Sequence, residues 1–327
     1  MKKIIRFAVT IARRLFYQLH LYHIANKMHI YTPRIVALVD GGLGSQMWQF
    51  ALGYSISKKV GLPLTFETSF YTVSGRDCNG KKNRNLLLFD IFPVIREQYG
   101  NNIETSKSYL TFFCDSTKRT TYDYTPSLLM PGRPVFLSQY YANSKYIQEN
   151  CQELKKIFQF TPCMNAEETA LLHQIERTNS CMVHIRKGDF VGLCLDVCTD
   201  AYYINAIHKM AELENDVDFF IFSNDETYFE KHIEPHCQGY KFHIIKQRSE
   251  ENPSIDFYLM KQCKHAIISN SGFSWMAAWL KEDSARVIMP DRWNNDSTRS
   301  ESSKNAFYHQ KWLKLSVNLK CNGVDCS

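Results

Sequence analysis

The chain has 327 residues, of which 44% are hydrophobic and 22% charged, and its formal net charge is +6 at pH 7. This length exceeds what one hydrophobic core usually serves, so we expect two domains, and the composition excludes a disordered or collagen-like chain. The excess positive charge precedes the first acidic residue, Asp40, and the rest of the chain is nearly neutral. Nucleic acid is therefore not expected as the main partner.

The first 30 residues have the pattern of a basic amphipathic helix. The longest uncharged run, residues 15–26, is too short for a membrane span, which needs about 20 apolar residues. Arg13 and Arg14 interrupt the apolar core that a secretory signal would need. We expect a cytoplasmic protein whose N-terminal helix either lies on the inner face of the cell membrane or packs on the body. The apolar side of the wheel comprises Ile4, Ala8, Ile11, Leu15, Leu19 and Tyr22, opposite Lys3, Arg6, Arg13 and Arg14.

Eleven cysteines, an odd number without dense spacing, indicate reduced thiols rather than a disulfide framework. Cys194 and Cys198, taken with His184 or His208, lack the second ligand pair of a zinc site. The Asp-x-Asp sequence at 216–218 precedes a predicted strand instead of following one. No metal site is expected.

In chain order, the first elements form a βα unit: an apolar strand at Ile35–Val39, a glycine turn, and a helix at Gln46–Lys59 with helical apolar spacing. Between Val73 and Pro134 the sequence is rich in Asn, Lys, Thr, Gly and Pro, so we expect loops and short helices there. The other elements predicted before residue 178 are strands at Leu62–Phe66 and Val135–Tyr140 and helices at Ser144–Phe158 and Asn165–Thr178.

From residue 179 onward, short apolar strands alternate with helices, which predicts a parallel sheet covered by helices. Ligands of such sheets bind beyond the carboxyl ends of the strands, here the loops at 186–189, 223–225 and 269–272. The predicted strands are Cys181–Arg186, Asp218–Ser223, Tyr240–Ile245, Ala266–Ser269 and Arg286–Met289, and the helices are Asp200–Leu213, Thr227–Ile233, Ser254–Cys263 and Gly272–Leu280.

A basic motif, His184-Ile185-Arg186-Lys187-Gly188-Asp189, ends the first of these strands. Strand alternation places His184 and Arg186 on one face. The planar donors of Arg186 suit a pyrophosphate, and Lys187 adds a point charge. The same residues would also form an ordinary basic surface turn capped by Asp189.

A second motif, Ser269-Asn270-Ser271-Gly272, stands directly before a predicted helix. Small residues there expose backbone amides at the positive end of the helix dipole, a site for a phosphate, although an ordinary serine N-cap has the same pattern. Together the two motifs offer what a departing nucleoside diphosphate requires. Asn224, Asp225 and Asp256 are further candidates for contacts to a base or ribose, and they fit turn and helix-dipole roles equally well.

The glycine turn at Asp40–Gln46 could be taken for a dinucleotide-binding fingerprint, but Met47 stands where that fingerprint has its third glycine. A nicotinamide-dependent oxidoreductase would also need an acidic ribose ligand about 20 residues on, where Glu67 is only loosely placed. A close-approach loop facing the other domain fits the sequence better.

Three segments are specific in their order and spacing: Gly41-Gly42-Leu43-Gly44-Ser45-Gln46-Met47-Trp48-Gln49, Val183-His184-Ile185-Arg186-Lys187-Gly188-Asp189, and Cys263–Leu280 with its Ser269-Asn270-Ser271-Gly272-Phe273-Ser274-Trp275 core. They resemble the bacterial α-1,2-fucosyltransferases of glycosyltransferase family 11. The resemblance extends from about residue 35 to about residue 293.

The resemblance implies an α/β, GT-B-like fold with two Rossmann-like domains and a parallel sheet in the C-terminal half. It also implies GDP-β-L-fucose as donor, inversion at the anomeric carbon, and neither a metal nor another cofactor. From the resemblance together with the element pattern, which puts a boundary near residue 178, we expect a basic amphipathic helix (1–30), an acceptor-side domain (31–178), a GDP-sugar-binding Rossmann-like domain (179–300) and a C-terminal tail (301–327).

By the same resemblance, Arg186 would hold the pyrophosphate, His184 and Asp256 would lie near the nucleoside, and Ser269–Ser271 would cradle the β-phosphate. Two residues depart from the family pattern: Ser45 stands where Asn is usual, and Lys187 where a second Arg is usual. The catalytic candidates are Arg186, Asp189 and Ser45. The acceptor-side loop is Gly41, Gly42, Gly44 and Gln46, and the donor-binding set is His184, Arg186, Lys187, Asn224, Asp225, Asp256, Ser269, Asn270, Ser271 and Ser274.

The expected reaction is transfer of L-fucose to a hydroxyl of a galactose-containing glycan, free or lipid-linked, with an α-1,2 linkage. Asp189 is a candidate general base or a residue that orients Arg186. One alternative is another linkage or acceptor, because acceptor choice lies in the loops between Val73 and Pro134. A non-catalytic glycan- or nucleotide-binding protein is the other.

Overall fold

The computed structural model describes residues 21–28, 32–73, 75–76, 80, 83–104, 122–138, 140–225, 227–246, 253–305 and 307–318, and four single residues before residue 20. Most of the predicted amphipathic helix lies outside them; its described part contains helix Leu21–Lys27. Across the described ranges, no helix is long and apolar enough to cross a membrane.

The chain divides into two compact units. The first comprises Met1–Gly41, Ser45–Gly75 and Leu88–Gln159, and the second comprises Gly42–Gly44, Arg76–Leu87 and Phe160–Ser327. The domain division predicted from the sequence instead places its boundary at residue 178 and treats 301–327 as a tail. The structure begins the main part of the second unit at Phe160 because the helix that follows, Ala166–Arg177, packs within that unit on strand Asn179–Ile185.

The first unit contains a four-stranded parallel sheet, in the order β3-β2-β1-β4. Its strands are β1 (Ile35–Leu38), β2 (Leu64–Glu67), β3 (Ile103–Glu104) and β4 (Val135–Leu137). Its helices are Leu21–Lys27, Phe70–Val73, Leu88–Ile91, Pro93–Tyr99 and Cys151–Ile157, with most of the long helix Leu43–Val60.

The core of the first unit forms where helix Leu43–Val60 lies on the sheet. Phe50 is fully buried and stacks on Phe66 of β2, with ring centroids 5.7 Å apart. Gly53 permits this close approach, because a Cβ there would lie 2.9 Å from the Cβ of Ala37 in β1. Packing of this helix against the first two strands thus places the glycine turn at their carboxyl ends.

Two predictions in this half are corrected by long-range contacts. The helix predicted at Ser144–Phe158 is two 3-10 turns, Ser144–Tyr146 and Gln148–Asn150, followed by helix Cys151–Ile157. The amide of Asn143 donates to the Tyr122 carbonyl at 2.8 Å, which ties the start of this segment to a distant loop. The region predicted as loops and short helices also contains a strand, β3, paired with β2.

The second unit is a six-stranded, wholly parallel sheet in the order β10-β9-β8-β5-β6-β7. This confirms the parallel sheet predicted for the C-terminal half. The strands are β5 (Asn179–Ile185), β6 (Val217–Ser223), β7 (Lys241–Ile245), β8 (His265–Ile267), β9 (Val287–Pro290) and β10 (Leu313–Leu315), and the helices are Ala166–Arg177, Asp200–Leu213, Tyr228–His232, Ser254–Gln262, Gly272–Trp279 and Ser300–Ser303.

Strand order reverses at β5: the chain adds β6 and β7 on one side, then returns to place β8, β9 and β10 on the other. Such a reversal leaves a crevice between the two central strands at their carboxyl ends, the usual ligand site of open α/β sheets. The central strands are buried on both faces, with Val183, Phe219 and Ile267 fully inaccessible. The described part of the predicted tail contains β10, which pairs with β9 at the edge of this sheet.

Candidate active site

The switch point lies between β5 and β8 and brings the two sequence motifs together. His184, near the end of β5, has its Nδ1 2.9 Å from the Oγ of Ser269, which follows β8. Burial, with the nearby Arg186 charge, lowers the pKa of His184 to about 3. The imidazole is therefore neutral at physiological pH and adds no positive charge to the site.

Arg186 follows β5 and forms the centre of a cluster of charged groups. Its Nη2 donates to Oδ2 of Asp189 at 2.7 Å, and the same oxygen accepts a bond of 3.1 Å from Nη2 of Arg84. The Arg186 guanidinium also lies 5.4 Å from the ring centre of Phe190. The side chains of Arg84, Arg186 and Asp189 are only 15%, 18% and 8% exposed. Two guanidinium groups thus share one carboxylate oxygen.

Two polar atoms of this cluster have no hydrogen-bond partner among the described residues. Nε of Arg186 and Oδ1 of Asp189 are buried, and neither forms a hydrogen bond with any described residue. A buried donor or acceptor left unpaired is costly, so such atoms often mark a ligand site. The free Nε is a donor suited to an anionic oxygen.

Lys187 does not point its charge to this cluster. Its Nζ donates to Oδ1 of Asp196 at 3.0 Å and lies 5.1 Å from the ring centre of Tyr228. Its backbone N–H donates to Oδ1 of Asn224 at 2.9 Å. Gly188 leaves room for the Asn224 side chain, because a Cβ there would lie 2.3 Å from Nδ2 of Asn224. Asn224, which the sequence predicts to contact the sugar donor, stabilises the basic turn through its hydrogen bond with Lys187.

The serine motif caps helix Gly272–Trp279. The Oγ of Ser271 accepts from the Phe273 N–H at 3.3 Å, and Oγ of Ser274 donates to the Ser271 carbonyl at 3.3 Å. Asn270 is buried and donates to the carbonyls of Leu195 and Trp293, at 2.8 and 3.2 Å. These side chains therefore stabilise the turn through hydrogen bonds within the protein, and the phosphate role predicted for this motif stays a prediction.

Gly44 lies directly against this helix start. A Cβ on Gly44 would be 2.2 Å from the Phe273 nitrogen and 2.4 Å from the Gly272 carbonyl carbon. Gly42, two residues earlier, lies next to Arg84, whose Nη1 is 3.8 Å from the place of a Cβ. The turn Gly42–Gly44 therefore reaches the arginine cluster at one end and the helix N-terminus at the other.

The rest of the predicted acceptor-side loop belongs to the first unit. Gly41 has φ +70°, the left-handed region that favours glycine. Its carbonyl accepts bonds from Nε2 of Gln46 at 3.1 Å and from the Tyr71 hydroxyl at 3.0 Å. Ser45 is half-buried, and its Oγ lies 3.1 Å from where a Cβ of Gly41 would be. The Gln46 side chain thus stabilises the glycine turn.

Asp225 and Asp256 lie farther along the sheet edge. Oδ1 of Asp225 accepts from the Thr227 N–H at 3.2 Å, the local turn that its sequence also predicted. Asp256 is half-buried in the first turn of helix Ser254–Gln262. In the part of the chain that the structure describes, no hydrogen bond or ion pair joins Asp225 to the arginine cluster, and the nucleoside roles of both residues stay predictions.

The thiols and histidines considered as metal ligands contact different residues. Cys198 is buried with its Sγ 3.6 Å from Oδ1 of Asn270, while Cys194 is exposed. Nδ1 of His208 lies 2.9 Å from the Tyr240 hydroxyl.

Sequence reasoning missed Arg84 and Asp196. Arg84 lies in the stretch from Val73 to Pro134, where no periodic pattern distinguishes one basic residue from another. Asp196 follows the basic motif closely, but nothing in its spacing announces the partnership with Lys187.

A model of glycosyl transferase family 11 matches residues 89–316, more than half of the chain. The chain belongs to glycosyltransferase family 11. Membership predicted from the three sequence segments is therefore confirmed, and the protein is a glycosyltransferase.

Two relatives from Escherichia coli match this family 11 protein over most of its length. An alpha-1,2-colitosyltransferase is 28% identical over 311 residues, which cover 86% of this chain and 98% of the relative. The O-antigen biosynthesis glycosyltransferase WbnK is 20% identical over 314 residues, which cover 85% of this chain and 99% of the relative. These relatives do not confirm fucose as the sugar that this family 11 protein transfers.

Among solved structures, the NodZ alpha-1,6-fucosyltransferase co-crystallized with GDP matches with a TM-score of 0.50 and 12% sequence identity. The match covers 80% of this chain and 96% of that one. At this identity the likeness concerns the fold, and it agrees with two units that each contain a parallel sheet. The family 11 glycosyltransferase thus has the predicted α/β, GT-B-like fold.

Proposed function

We propose that this enzyme transfers L-fucose from GDP-β-L-fucose to a hydroxyl of a galactose-containing glycan, with inversion and an α-1,2 linkage. The observation that carries the proposal is Arg186, whose Nε is buried and unbonded to any described residue beside the switch point. An unsatisfied guanidinium donor there suits the diphosphate of a nucleotide sugar. Family membership, and the GDP bound by NodZ, support a GDP-linked donor.

In the proposed reaction the oxygen of the acceptor hydroxyl bonds to the anomeric carbon from the face opposite the nucleotide, and the hydroxyl proton is released to solvent. The bond from that carbon to the phosphate oxygen breaks at the same time, and its electron pair leaves with GDP. Negative charge therefore develops on the diphosphate, where Arg186 and the amides at the start of helix Gly272–Trp279 would stabilise it. Because these groups supply positive charge themselves, we propose a reaction that needs no metal and no other cofactor.

Other residues of the predicted site receive narrower roles in this proposal. His184 is neutral and contacts Ser269, which suits a hydrogen bond near the nucleoside more than charge stabilisation. Asp189 accepts from two arginines, and this favours orientation of Arg186 over proton abstraction. The glycine turn, with Ser45, is proposed to face the reacting sugar.

A second donor has a specific observation in its favour. The relative of 28% identity is named an alpha-1,2-colitosyltransferase, and colitose is the 3-deoxy counterpart of L-fucose. Because the two sugars differ only at carbon 3, contacts to the 3-hydroxyl would distinguish them. A site that hydrogen-bonds that hydroxyl would reject the deoxy sugar strongly.

The test is turnover of GDP-fucose and GDP-colitose with a panel of β-galactosides in EDTA, read as GDP release and product linkage by NMR. Arg186→Ala is expected to lower kcat by roughly a hundred- to a thousandfold, the usual loss for one preorganised donor to developing charge. Arg286→Ala is the matched control, because Arg286 is exposed and bonded to Glu214. It should retain the native rate.

Each part of the proposal can fail separately. No GDP release and no GDP binding would overturn the nucleotide assignment, and loss of activity in EDTA would overturn metal independence. Preference for GDP-colitose would establish the second donor. A linkage other than α-1,2, or an acceptor without galactose, would replace the proposed acceptor chemistry.

We also propose that the enzyme works in the cytoplasm at the inner face of the membrane, near lipid-linked glycans. Leu15, Leu19, Ile24 and Met28 each expose roughly half or more of their surface, and basic residues crowd the same part of the sequence. Apolar side chains beside positive charge favour an anionic lipid surface. Sedimentation with anionic vesicles, compared with neutral ones, would test this location.

A further inference from the structure

The cluster around Asp189 holds more positive than negative charge. Arg84 and Arg186 both donate to Oδ2 of Asp189, at 3.1 and 2.7 Å, and no other carboxylate among the described residues forms an ion pair with either arginine. All three side chains are less than one-fifth exposed. Among the described residues, one unit of positive charge is thus left without a counter-charge in a largely desolvated place, where an unpaired charge is costly.

The two other basic residues of the 184–189 motif, Lys187 and His184, neither add to this excess nor balance it. Lys187 is paired with Asp196 at 3.0 Å, so that pair is neutral in sum. His184 is buried and uncharged at physiological pH. The excess therefore resides on the two guanidinium groups.

These guanidinium groups have donors to offer. Arg186 has its buried Nε unbonded, and Arg84 forms one hydrogen bond with the described residues, through Nη2. A guanidinium has five N–H donors in a planar fork. Because both Nη2 atoms bond to a single oxygen, they lie no farther apart than the two bond lengths laid end to end. Two forks this close can bind neighbouring oxygens of one diphosphate.

Arg84 is also near the N-terminus of helix Gly272–Trp279. Its Nη1 lies 3.8 Å from the place of a Cβ on Gly42, and Gly44 lies against the Phe273 nitrogen. Two residues of chain span at most about 7 Å. The arginine cluster and the helix start are therefore at the two ends of one short turn, and both favour negative charge.

We propose that Arg84 binds the donor diphosphate as the second guanidinium of the site, with Asp189 holding it beside Arg186. The inference rests on the proposed function, since it takes a nucleoside diphosphate as the ligand. It assigns Arg84 to donor binding, whereas Lys187, the basic residue adjacent to Arg186 in sequence, braces the turn through Asp196.

The experiment compares the affinities of the full-length protein for GDP, GMP and guanosine by calorimetry. Arg84→Gln is expected to weaken GDP binding by about 10- to 100-fold, the cost of one charge-assisted contact, and to change guanosine binding by less than about twofold. Arg84→Lys keeps the charge but loses the fork, so an intermediate loss is expected. Arg286→Ala should bind all three ligands as the native protein does.

A double variant separates phosphate binding from mere neutralisation of Asp189. If Arg84 served only to balance that carboxylate, then adding Asp189→Asn to Arg84→Gln would restore GDP affinity. Because Asp189 also orients Arg186, the double variant is compared with Asp189→Asn alone. GDP binding weaker in the double variant than in Asp189→Asn, with guanosine binding retained, supports direct contact of Arg84 with the diphosphate. The retained guanosine binding also shows that the variants are folded.

The possible failures are distinguishable. Native GDP affinity in Arg84→Gln, or equal losses for GDP and guanosine, would overturn the role of Arg84 while leaving the proposed function intact. Absence of GDP binding by the native protein would overturn the proposed function and this inference together.

Discussion

The contact between Gly44 and the start of helix Gly272–Trp279 gives a sharp prediction for Gly44→Ala. The added methyl carbon would lie 2.2 Å from the Phe273 nitrogen, 2.4 Å from the Gly272 carbonyl carbon and 2.5 Å from the Phe273 Cα. All three atoms are backbone, so no flexible side chain can move aside. The backbone at Gly44 must therefore move away from the backbone of Gly272 and Phe273, or the reverse.

The magnitude follows from two opposing effects. Gly44 is the second residue of helix Leu43–Val60, and alanine in a helix is favoured over glycine by up to about 1 kcal/mol. Overpacking of a well-packed contact costs about 1–3 kcal/mol, and rigid backbone on both sides places this case at the upper end. The net expectation for Gly44→Ala is a free energy of unfolding lowered by about 2 kcal/mol. We also expect weaker GDP binding, because the displaced helix start is the proposed phosphate site.

Gly42→Ala is the matched control. The nearest atom to its added methyl is Nη1 of Arg84 at 3.8 Å, an ordinary van der Waals distance. Urea unfolding and GDP calorimetry on both variants check the prediction. If Gly44→Ala proves as stable as the native protein and binds GDP equally well, the close approach of the glycine turn to this helix is wrong.

Two further predictions concern buried ionisable groups. Burial and Arg186 lower the pKa of His184 to about 3. An unfolded imidazole titrates near pH 6.5, so as pH falls below 6.5 the native protein should lose up to about 1.4 kcal/mol of unfolding free energy per pH unit relative to His184→Gln. The same difference in unfolding free energy between the native protein and His184→Gln at pH 7 and at pH 5 would contradict this. Lys281→Met should lower the unfolding free energy by about 2–4 kcal/mol, because two buried carbonyls, those of Met260 and Cys263, and the half-buried carbonyl of Lys261 lose their donor. Lys264→Met, at an exposed lysine, should be neutral in the same urea assay, and equal curves for both lysine variants would refute the role of Lys281.

Much of the second unit could be predicted from the sequence, because its local signals agree with its fold. Helix Asp200–Leu213 has the bounds that periodicity predicts, and the Thr199 hydroxyl accepts from the Tyr202 N–H at its start. Each short apolar run between helices is a strand of the parallel sheet. The ends of β5 and β8 then bring His184 and Ser269 together, as the two motifs required.

The first unit was harder to predict because contacts distant in sequence decide its local structure. The start of the predicted helix Ser144–Phe158 forms a 3-10 turn instead. There the Tyr146 hydroxyl accepts a hydrogen bond from the Thr125 N–H at 2.6 Å, a contact distant in sequence. β3 is only two residues long, and pairing with β2 defines it where no alternating pattern exists.

Arg84 shows the same limit at the site itself. The sequence motif predicted that Lys187, in place of the usual second arginine, lowers the affinity for a diphosphate, since a lysine has no bidentate fork. In the structure, Lys187 is paired with Asp196, and the second guanidinium comes from a residue 105 positions before Asp189. The charge of the site is therefore set by which carboxylate each cation meets in the fold. A sequence motif shows which charged residues are present. The ion pairs in the folded protein show which of those charges are not balanced by a carboxylate and can bind a ligand.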